Sequence, residues 1–282
     1  MTAIAHPARL RAIPATARAV AALLVVSLLG LVGFGWPLLA HPAADSLGHT
    51  ADAPWLFAAL LPALIMVALA ELSAGGVDAK SVALLGVLSA VGAALRPLGA
   101  SITGFQPMFV VIVLGGRVLG PGFGFVLGSV TMFSSALLTG GVGPWLPFQM
   151  IGAAWVGLFA GLLPRMSGRK EVVMLAAYGV VSGIAYGFLL NLWFWPFMTG
   201  LSSSIAFVPG SPLHDNLIRL IAFSLATSLG WDLARAIGTA VLVLVLGGPL
   251  LRALRRATRR AAFGAPVVFD DAIGTRQAAS TD

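Results

Sequence analysis

The sequence predicts an all-α fold, a polytopic bundle of membrane-spanning helices with both termini in the cytoplasm. Hydrophobic residues make up 59% of the chain and charged residues only 10%, whereas an ordinary soluble domain is about a quarter charged. Apolar runs recur along the chain, and a helix needs about 20 mostly apolar residues to span a bilayer. Arg and Lys gather in alternate connections between these runs, which is typical of the cytoplasmic side of a membrane.

The predicted spans are apolar segments bounded by Pro, Gly or charged residues. The first follows three arginines but is too long for the apolar part of a signal peptide, so we expect an uncleaved span. The last exceeds one crossing, and Ser228 and Gly230 leave open whether it is one tilted helix or a kinked pair. The eight segments are 19–39, 55–72, 81–95, 105–119, 123–138, 148–163, 172–195 and 217–251.

Charge differs between the connections on the two predicted sides of the membrane. Nearly all loop Lys and Arg fall on one side, and the loops of the other side contain none, which agrees with the positive-inside rule. The net charge of +7 is therefore interpreted as membrane topology rather than nucleic-acid binding. The cytoplasmic connections are 71–80, 117–121, 164–171 and 252 onward, and the outer ones are 41–54, 100–104, 139–146 and 196–216.

The residue inventory excludes several kinds of chemistry. The chain has no cysteine, which removes disulfides, thiolate metal sites and cysteine nucleophiles. It has no P-loop, H-E-x-x-H motif or paired intramembrane carboxylates, and its four histidines fall outside the predicted spans. We therefore expect no catalytic residue, no metal site and no cofactor, and any ATP hydrolysis would come from a partner.

The few polar residues near the membrane lie mostly toward the outer ends of the predicted helices. Asp232 and Arg235 are three residues apart on a helix, so a structural ion pair is favoured for them over ligand contact. Tryptophan at that depth is usually an interfacial anchor, yet beside Gln and Arg it can line an outward-facing pocket for a planar polar ligand. The candidate pocket residues are Arg96, Gln106, Trp145, Gln149, Asn191 and Trp193.

Two patterns of small residues stand out. Glycines recur from 115 to 128 without the Gly-Lys-Ser/Thr of a phosphate loop, so tight turns between closely packed helices are favoured. A second pattern lies on one face of the helix that begins near residue 79, and such stripes let helices approach closely in lipid. Packing within this protein and docking of another subunit both remain open for this stripe, which consists of Ala79, Ala83, Gly86 and Ala90.

The order of these parts resembles the substrate-binding S-components of energy-coupling factor (ECF) vitamin transporters. The resemblance runs from AKSVALLGVLSAVGAALRPLGA through GFQPMFVVIVLGGRVLGPGFGFVLGSVTMFSSALLTGG to PWLPFQMIGAAWVGLFAGLLPR, and continues more weakly to residue 251. It implies a six-helix binding core at 79–252, preceded by an extension with two transmembrane helices at 1–78. A basic and then disordered cytoplasmic tail would occupy 253–282.

The resemblance also implies a function. The chain would sit in the plasma membrane, capture a vitamin from outside and pass it inward with a transmembrane coupling subunit and two ATPases. In the family, small residues on the first core helix contact the coupling subunit, and the matching residues here are those of the stripe. General likeness is greatest to the cobalamin-type group, while riboflavin, queuosine-like compounds and other vitamins remain open.

Two other classes of function remain as alternatives. The first is a membrane enzyme of lipid or prenyl-phosphate metabolism, with Arg96, Asp232 and Arg235 around a phosphate. It would need clustered carboxylates to bind a metal, and the sequence lacks them. The second is a self-contained secondary carrier, for which inverted repeats are expected and none is apparent.

Overall fold

The helical class predicted from the sequence is confirmed. The computed structural model describes residues 17–39, 79–99, 104–198 and 200–261, which form eight α-helices, one 3-10 turn and no strand. The 3-10 turn, Trp195–Phe197, directly follows the sixth helix. The helices are α1 (Ala17–Leu39), α2 (Ala79–Leu98), α3 (Met108–Leu119), α4 (Pro121–Thr139), α5 (Leu146–Leu162), α6 (Gly168–Phe194), α7 (Leu213–Thr227) and α8 (Leu229–Ala261).

Among the described helices, α2, α4, α6 and α8 are long and apolar enough to cross a membrane. Helix α3 has only 12 residues, so it extends about 18 Å across a bilayer core of about 30 Å. Nine of those 12 residues are buried inside the protein. Neighbouring helices rather than lipid therefore surround α3, which allows a short helix at membrane depth.

Seven of the eight predicted spans fall on described helices, and the predicted span at 55–72 lies outside the described residues. The last predicted span is a kinked pair, because α7 ends at Thr227 and α8 begins at Leu229. The break is tied to α6, since the Ser228 hydroxyl donates a 2.9 Å hydrogen bond to the side-chain oxygen of Asn191.

The last helix extends beyond the predicted end of the core at residue 252. Helix α8 continues to Ala261, so the segment predicted as a tail begins with more than two further helical turns. These turns stay helical because Leu254 packs against the core and the Thr258 side chain is buried. The predicted disorder beyond residue 263 lies outside the described residues.

The glycine-rich block has the structural role that the sequence favoured. Gly116 of α3, Gly124 of α4 and Gly157 of α5 meet where the three helices cross, and a Cβ atom on any of them would collide with neighbouring backbone. Gly120, the one residue between α3 and α4, has φ +100°, which glycine adopts at little cost. Close backbone approach therefore sets the centre of the bundle.

A second line of glycines joins α6 to α8. Gly179, Gly183 and Gly187 are spaced four residues apart on one face of α6. A Cβ atom on Gly183 would collide with the backbone of Ala236, and one on Gly187 would collide with the Asp232 carboxylate. The start of α8 is therefore packed directly against the backbone of α6.

The first helix and the second lie against different parts of the bundle. Helix α1 packs on α5, α6 and α7, whereas α2 packs on α3 and α4. The α1 contact is aromatic, since the Phe34 ring lies 5.2 Å from that of Phe148 and 5.8 Å from that of Trp155, centre to centre. The Trp155 indole also donates a 3.0 Å hydrogen bond to the Ser27 hydroxyl.

Candidate functional site

Polar side chains from several helices converge at one end of the bundle, which we call the Arg96 end. Arg96, in the last turn of α2, reaches across to both α4 and α5. Its Nη1 atom lies 3.4 Å from the Ser135 hydroxyl, and its Nη2 atom lies 3.4 Å from Oε1 of Gln149. Both contacts are near the outer limit of hydrogen-bond length, and both acceptors are uncharged.

Arg235 of α8 is the second guanidinium at this end, and its environment is different. It donates to Oδ1 of Asp232 at 2.8 Å, to the Gly183 carbonyl at 3.0 Å and to Oε1 of Gln106 at 3.3 Å. Its guanidinium carbon lies 5.0 Å from the centre of the Tyr186 ring, within cation–π range. The ion pair predicted from the spacing of Asp232 and Arg235 is confirmed, and its charges cancel.

Tyr186 of α6 is the aromatic residue that contacts Arg235. It is buried, its ring centre lies 4.9 Å from that of Phe109 in an edge-on arrangement, and Gly152 of α5 leaves room for it. Tyr186 was not among the predicted pocket residues, although it lies between Gly183 and Gly187 on the helix that α8 approaches.

Three of the six predicted pocket residues lie in this polar cluster. Arg96 and Gln149 contact each other, and Gln106 joins the cluster through Arg235. Asn191 lies elsewhere, because its amide nitrogen donates to Ser224 at 3.1 Å and its oxygen accepts from Ser228. Asn191 therefore holds the α7–α8 break against α6.

The two predicted pocket tryptophans also lie outside the polar cluster. Trp193 is buried in an aromatic group, with its ring centre 4.6 Å from that of Phe148 and 5.9 Å from that of Phe197. Trp145 is 43% exposed, and its indole nitrogen donates to the Gly141 carbonyl at 3.2 Å. Trp193 therefore packs in the interior, and the exposure of Trp145 fits an anchor at the membrane interface. Neither contact involves Arg96 or Arg235.

Buried hydroxyl groups continue from Arg96 along the contact between α2 and α4. Ser89 and Thr131 are almost completely buried, and their hydroxyl oxygens have no hydrogen-bond partner within the described part of the chain. Thr131 packs where a Cβ atom on Gly92 would lie, one turn before Arg96. Buried polar atoms are normally hydrogen-bonded, so this contact has unused hydrogen-bonding capacity.

A second ionic cluster, at the opposite end of the bundle, was not predicted. Glu171 is 1% exposed and accepts from Arg117 at 2.7 Å and from Arg255 at 2.6 Å. Arg117 also donates to the Leu163 carbonyl at 2.9 Å, so α3, α5, α6 and α8 meet here, at what we call the Arg117 end. Its isolation in the sequence could have indicated a structural ion pair, because Glu171 is the only acidic residue between Lys80 and Asp215.

Replacing Glu171 with alanine should destabilise the protein. The substitution leaves the mostly buried Arg117 without its carboxylate, and breaking a buried ion pair on one side costs about 3–5 kcal/mol. Thermal unfolding in detergent should therefore show a melting temperature lowered by several degrees. Asp215→Ala is the matched control, since it removes a carboxylate from an exposed pair with His214 and should change little. Equal melting temperatures for the two variants would contradict the structural role of Glu171.

The comparison with known families identifies the chain. The family model described as ECF transporter, substrate-specific component matches residues 80–247. The chain belongs to this family. No curated protein and no solved structure matches it. The matched part of this S-component begins in α2 and ends in α8, so it includes both arginines of the polar cluster and excludes α1.

Family membership establishes the general role of the protein. The chain is a membrane protein and the substrate-binding subunit of an ECF transporter. The described residues contain no group of three or more His, Asp or Glu side chains able to hold a metal ion. The family predicted from the sequence is confirmed, and the cobalamin-type subgroup stays a prediction.

Proposed function

We propose that this S-component captures a vitamin at the Arg96 end and delivers it inward with a membrane coupling subunit and two ATPase subunits in the plasma membrane. The family match over residues 80–247 carries the proposal. The contacts of Arg96 with Gln149 and of Arg235 with Gln106 support this location for the substrate. Among vitamins, a cobalamin-like compound remains favoured by the general likeness of the sequence.

The Arg96 end is proposed to face the outside, with both termini in the cytoplasm. Charge distribution supports this orientation, because the Arg96-end loops at 139–146 and 196–216 contain no Lys or Arg. Cytoplasmic connections carry the excess of positive charge in membrane proteins. Exposed basic residues at the Arg117 end are Arg165, Arg169, Lys170, Arg252, Arg256 and Arg259.

The small-residue stripe on α2 is the proposed docking surface for the coupling subunit. All four of its residues are exposed, and a Cβ atom on Gly86 would meet nothing within 4 Å. The opposite face of α2, including Leu85 and Ala93, is buried against the bundle. Packing among the described residues therefore leaves the stripe open, and small residues suit close contact with a partner helix in lipid.

The geometry gives less support to an enzyme of lipid or prenyl-phosphate metabolism. That alternative needs Arg96, Asp232 and Arg235 around a phosphate. Arg235 is instead committed to Asp232, to a backbone carbonyl and to Gln106, which leaves Arg96 alone to bind such a group.

Purification from the native membrane tests the proposal directly. The protein should retain a vitamin with nanomolar to micromolar affinity and should co-purify with a coupling subunit and an ATPase pair. Mass spectrometry of the extracted small molecule and of the associated proteins measures both. Absence of vitamin binding across a panel, together with absence of ATPase association, would contradict the proposal.

Gly86→Leu should weaken assembly with the coupling subunit without weakening vitamin binding. An added bulky side chain in a close helix contact costs about 1–3 kcal/mol, which corresponds to roughly a 5- to 150-fold loss of affinity. Quantitative co-purification with the coupling module provides the measurement. Ala177→Leu is the matched control, because Ala177 is an exposed small residue on α6, away from the stripe. If both variants assemble like the unchanged protein, the stripe is not the docking surface.

The absence of cysteine in the chain makes the orientation easy to test. Val142→Cys and Ser167→Cys place single thiols in exposed connections at the Arg96 end and the Arg117 end, respectively. In intact cells, a membrane-impermeant maleimide should label the first variant, and the second only after permeabilisation. Labelling of Ser167→Cys in intact cells would reverse the orientation and place the proposed pocket on the cytoplasmic side.

A further inference from the structure

We infer that the substrate carries an anionic group, a carboxylate or a phosphate, and that Arg96 binds it. This inference rests on the proposed function, because it concerns the substrate of the same polar cluster. Arg96 is then the residue that binds the charge of the substrate, and Arg235 holds Gln106 and Tyr186 in position.

The balance of charge at the Arg96 end is the first argument. The cluster contains two guanidinium groups, of Arg96 and Arg235, and one carboxylate, of Asp232. The carboxylate contacts Arg235 at 2.8 Å, whereas Arg96 forms no ion pair with any described residue. The cluster is thus left with one positive charge, which is located on Arg96. A charge inside the membrane region of a protein normally has a partner or a ligand.

The direction of the Arg96 side chain is the second argument. An arginine near the end of a membrane helix usually extends its head group outward into water. Arg96 instead reaches across the bundle to Ser135, which is completely buried, and to Gln149. Its contacts of 3.4 Å to these uncharged acceptors are long and weak for a guanidinium. An anionic oxygen would replace them at little cost.

The surplus of hydrogen-bond donors is the third argument. Besides Arg96, the amide nitrogen of Gln149 and the hydroxyl of Ser135 can donate to a ligand. Deeper along the same contact, the Ser89 and Thr131 hydroxyls lack partners among the described residues. A carboxylate or phosphate brings several acceptor oxygens, and the planar guanidinium matches the spacing of two of them.

Arg235 is not available to bind the anionic group of the substrate. Its three hydrogen-bond partners and the face of Tyr186 surround its guanidinium. Releasing it to a ligand would leave Asp232 buried without a counter-charge, which is costly. Arg235 therefore fixes Gln106 and Tyr186 in position while Arg96 remains free to exchange partners.

The inference separates the candidate vitamins by charge. Riboflavin is neutral and does not meet the requirement. Cobalamin meets it through its phosphodiester, and pantothenate, biotin and nicotinate meet it through a carboxylate. A substrate of the last three kinds would be held by its acidic group at Arg96.

Matched pairs of ligands test the inference on the purified full-length protein. Suitable pairs are pantothenate and panthenol, biotin and biotinamide, nicotinate and nicotinamide, and flavin mononucleotide and riboflavin. In at least one pair, the anionic member should bind tenfold or more tightly than its uncharged partner. Arg96→Gln should weaken binding of that member by about 10- to 100-fold, because hydrogen bonds to charged groups are lost, and should change the uncharged member little. Arg96→Lys should retain part of the preference.

Arg219→Gln is the control variant. It removes the same charge from α7 near the same end, where Arg219 contacts Asn216, and it should leave the preference unchanged. Thermal unfolding and binding of the uncharged member show that each variant is folded.

The outcomes separate this inference from the proposed function. If the protein binds a vitamin and assembles with the ATPase module, but Arg96→Gln leaves the preference for the anionic member intact, the role of Arg96 is wrong and the S-component function stands. Tightest binding of an uncharged vitamin also overturns the inference alone. Absence of both vitamin binding and module association overturns the inference together with the proposed function.

Discussion

The ion pair between Asp232 and Arg235 is the interaction on which the organisation of the Arg96 end depends. It places two charges at membrane depth, and this is tolerable because each is hydrogen-bonded and opposes the other. The glycines of α6 permit it, since Gly187 leaves room for the carboxylate and Gly183 offers its carbonyl. Gln106 and Tyr186 then take their positions from Arg235. Because this pair is neutral, Arg96 is left as the unmatched charge of the cluster.

Much of the fold could be predicted from the sequence because helices in lipid must satisfy their own backbone hydrogen bonds. Apolar length and flanking charge therefore located the described helices to within a few residues, except for the end of α8. The break at Ser228 was left open, since glycine and serine permit a kink without requiring one. A tertiary contact stabilises the break, the hydrogen bond from Ser228 to Asn191, and no local sequence pattern contains it. The extension of α8 to Ala261 likewise depends on packing of Leu254 and pairing of Arg255 with Glu171.

The sequence predicted how far along its helix each candidate site residue lies, but not which neighbouring helix its side chain faces. Arg96, Gln149, Asn191 and Trp193 all lie near one end of their helices, as the sequence indicated. Which neighbour each side chain faces depends on how the helices cross, and that depends on close contacts such as Gly152 with Tyr186. Asn191 thus faces α7, and Trp193 joins Phe148 in an aromatic group that also contacts α1 through Phe34. Glu171 was missed because it was assigned to a short connection between helices, where a carboxylate is expected to be exposed.

The two ends of the bundle differ in how firmly their charged groups are held. At the Arg117 end, Glu171 binds two arginines at 2.7 and 2.6 Å and links α6 to both α3 and α8. Short charge-assisted hydrogen bonds of this kind are the strong ones. At the Arg96 end, the contacts from Arg96 to α4 and α5 are 3.4 Å long and involve uncharged acceptors. The contacts that Arg96 makes with α4 and α5 are therefore weaker than the ionic contacts of Glu171, and under the proposed function a ligand would displace them at the least energetic cost.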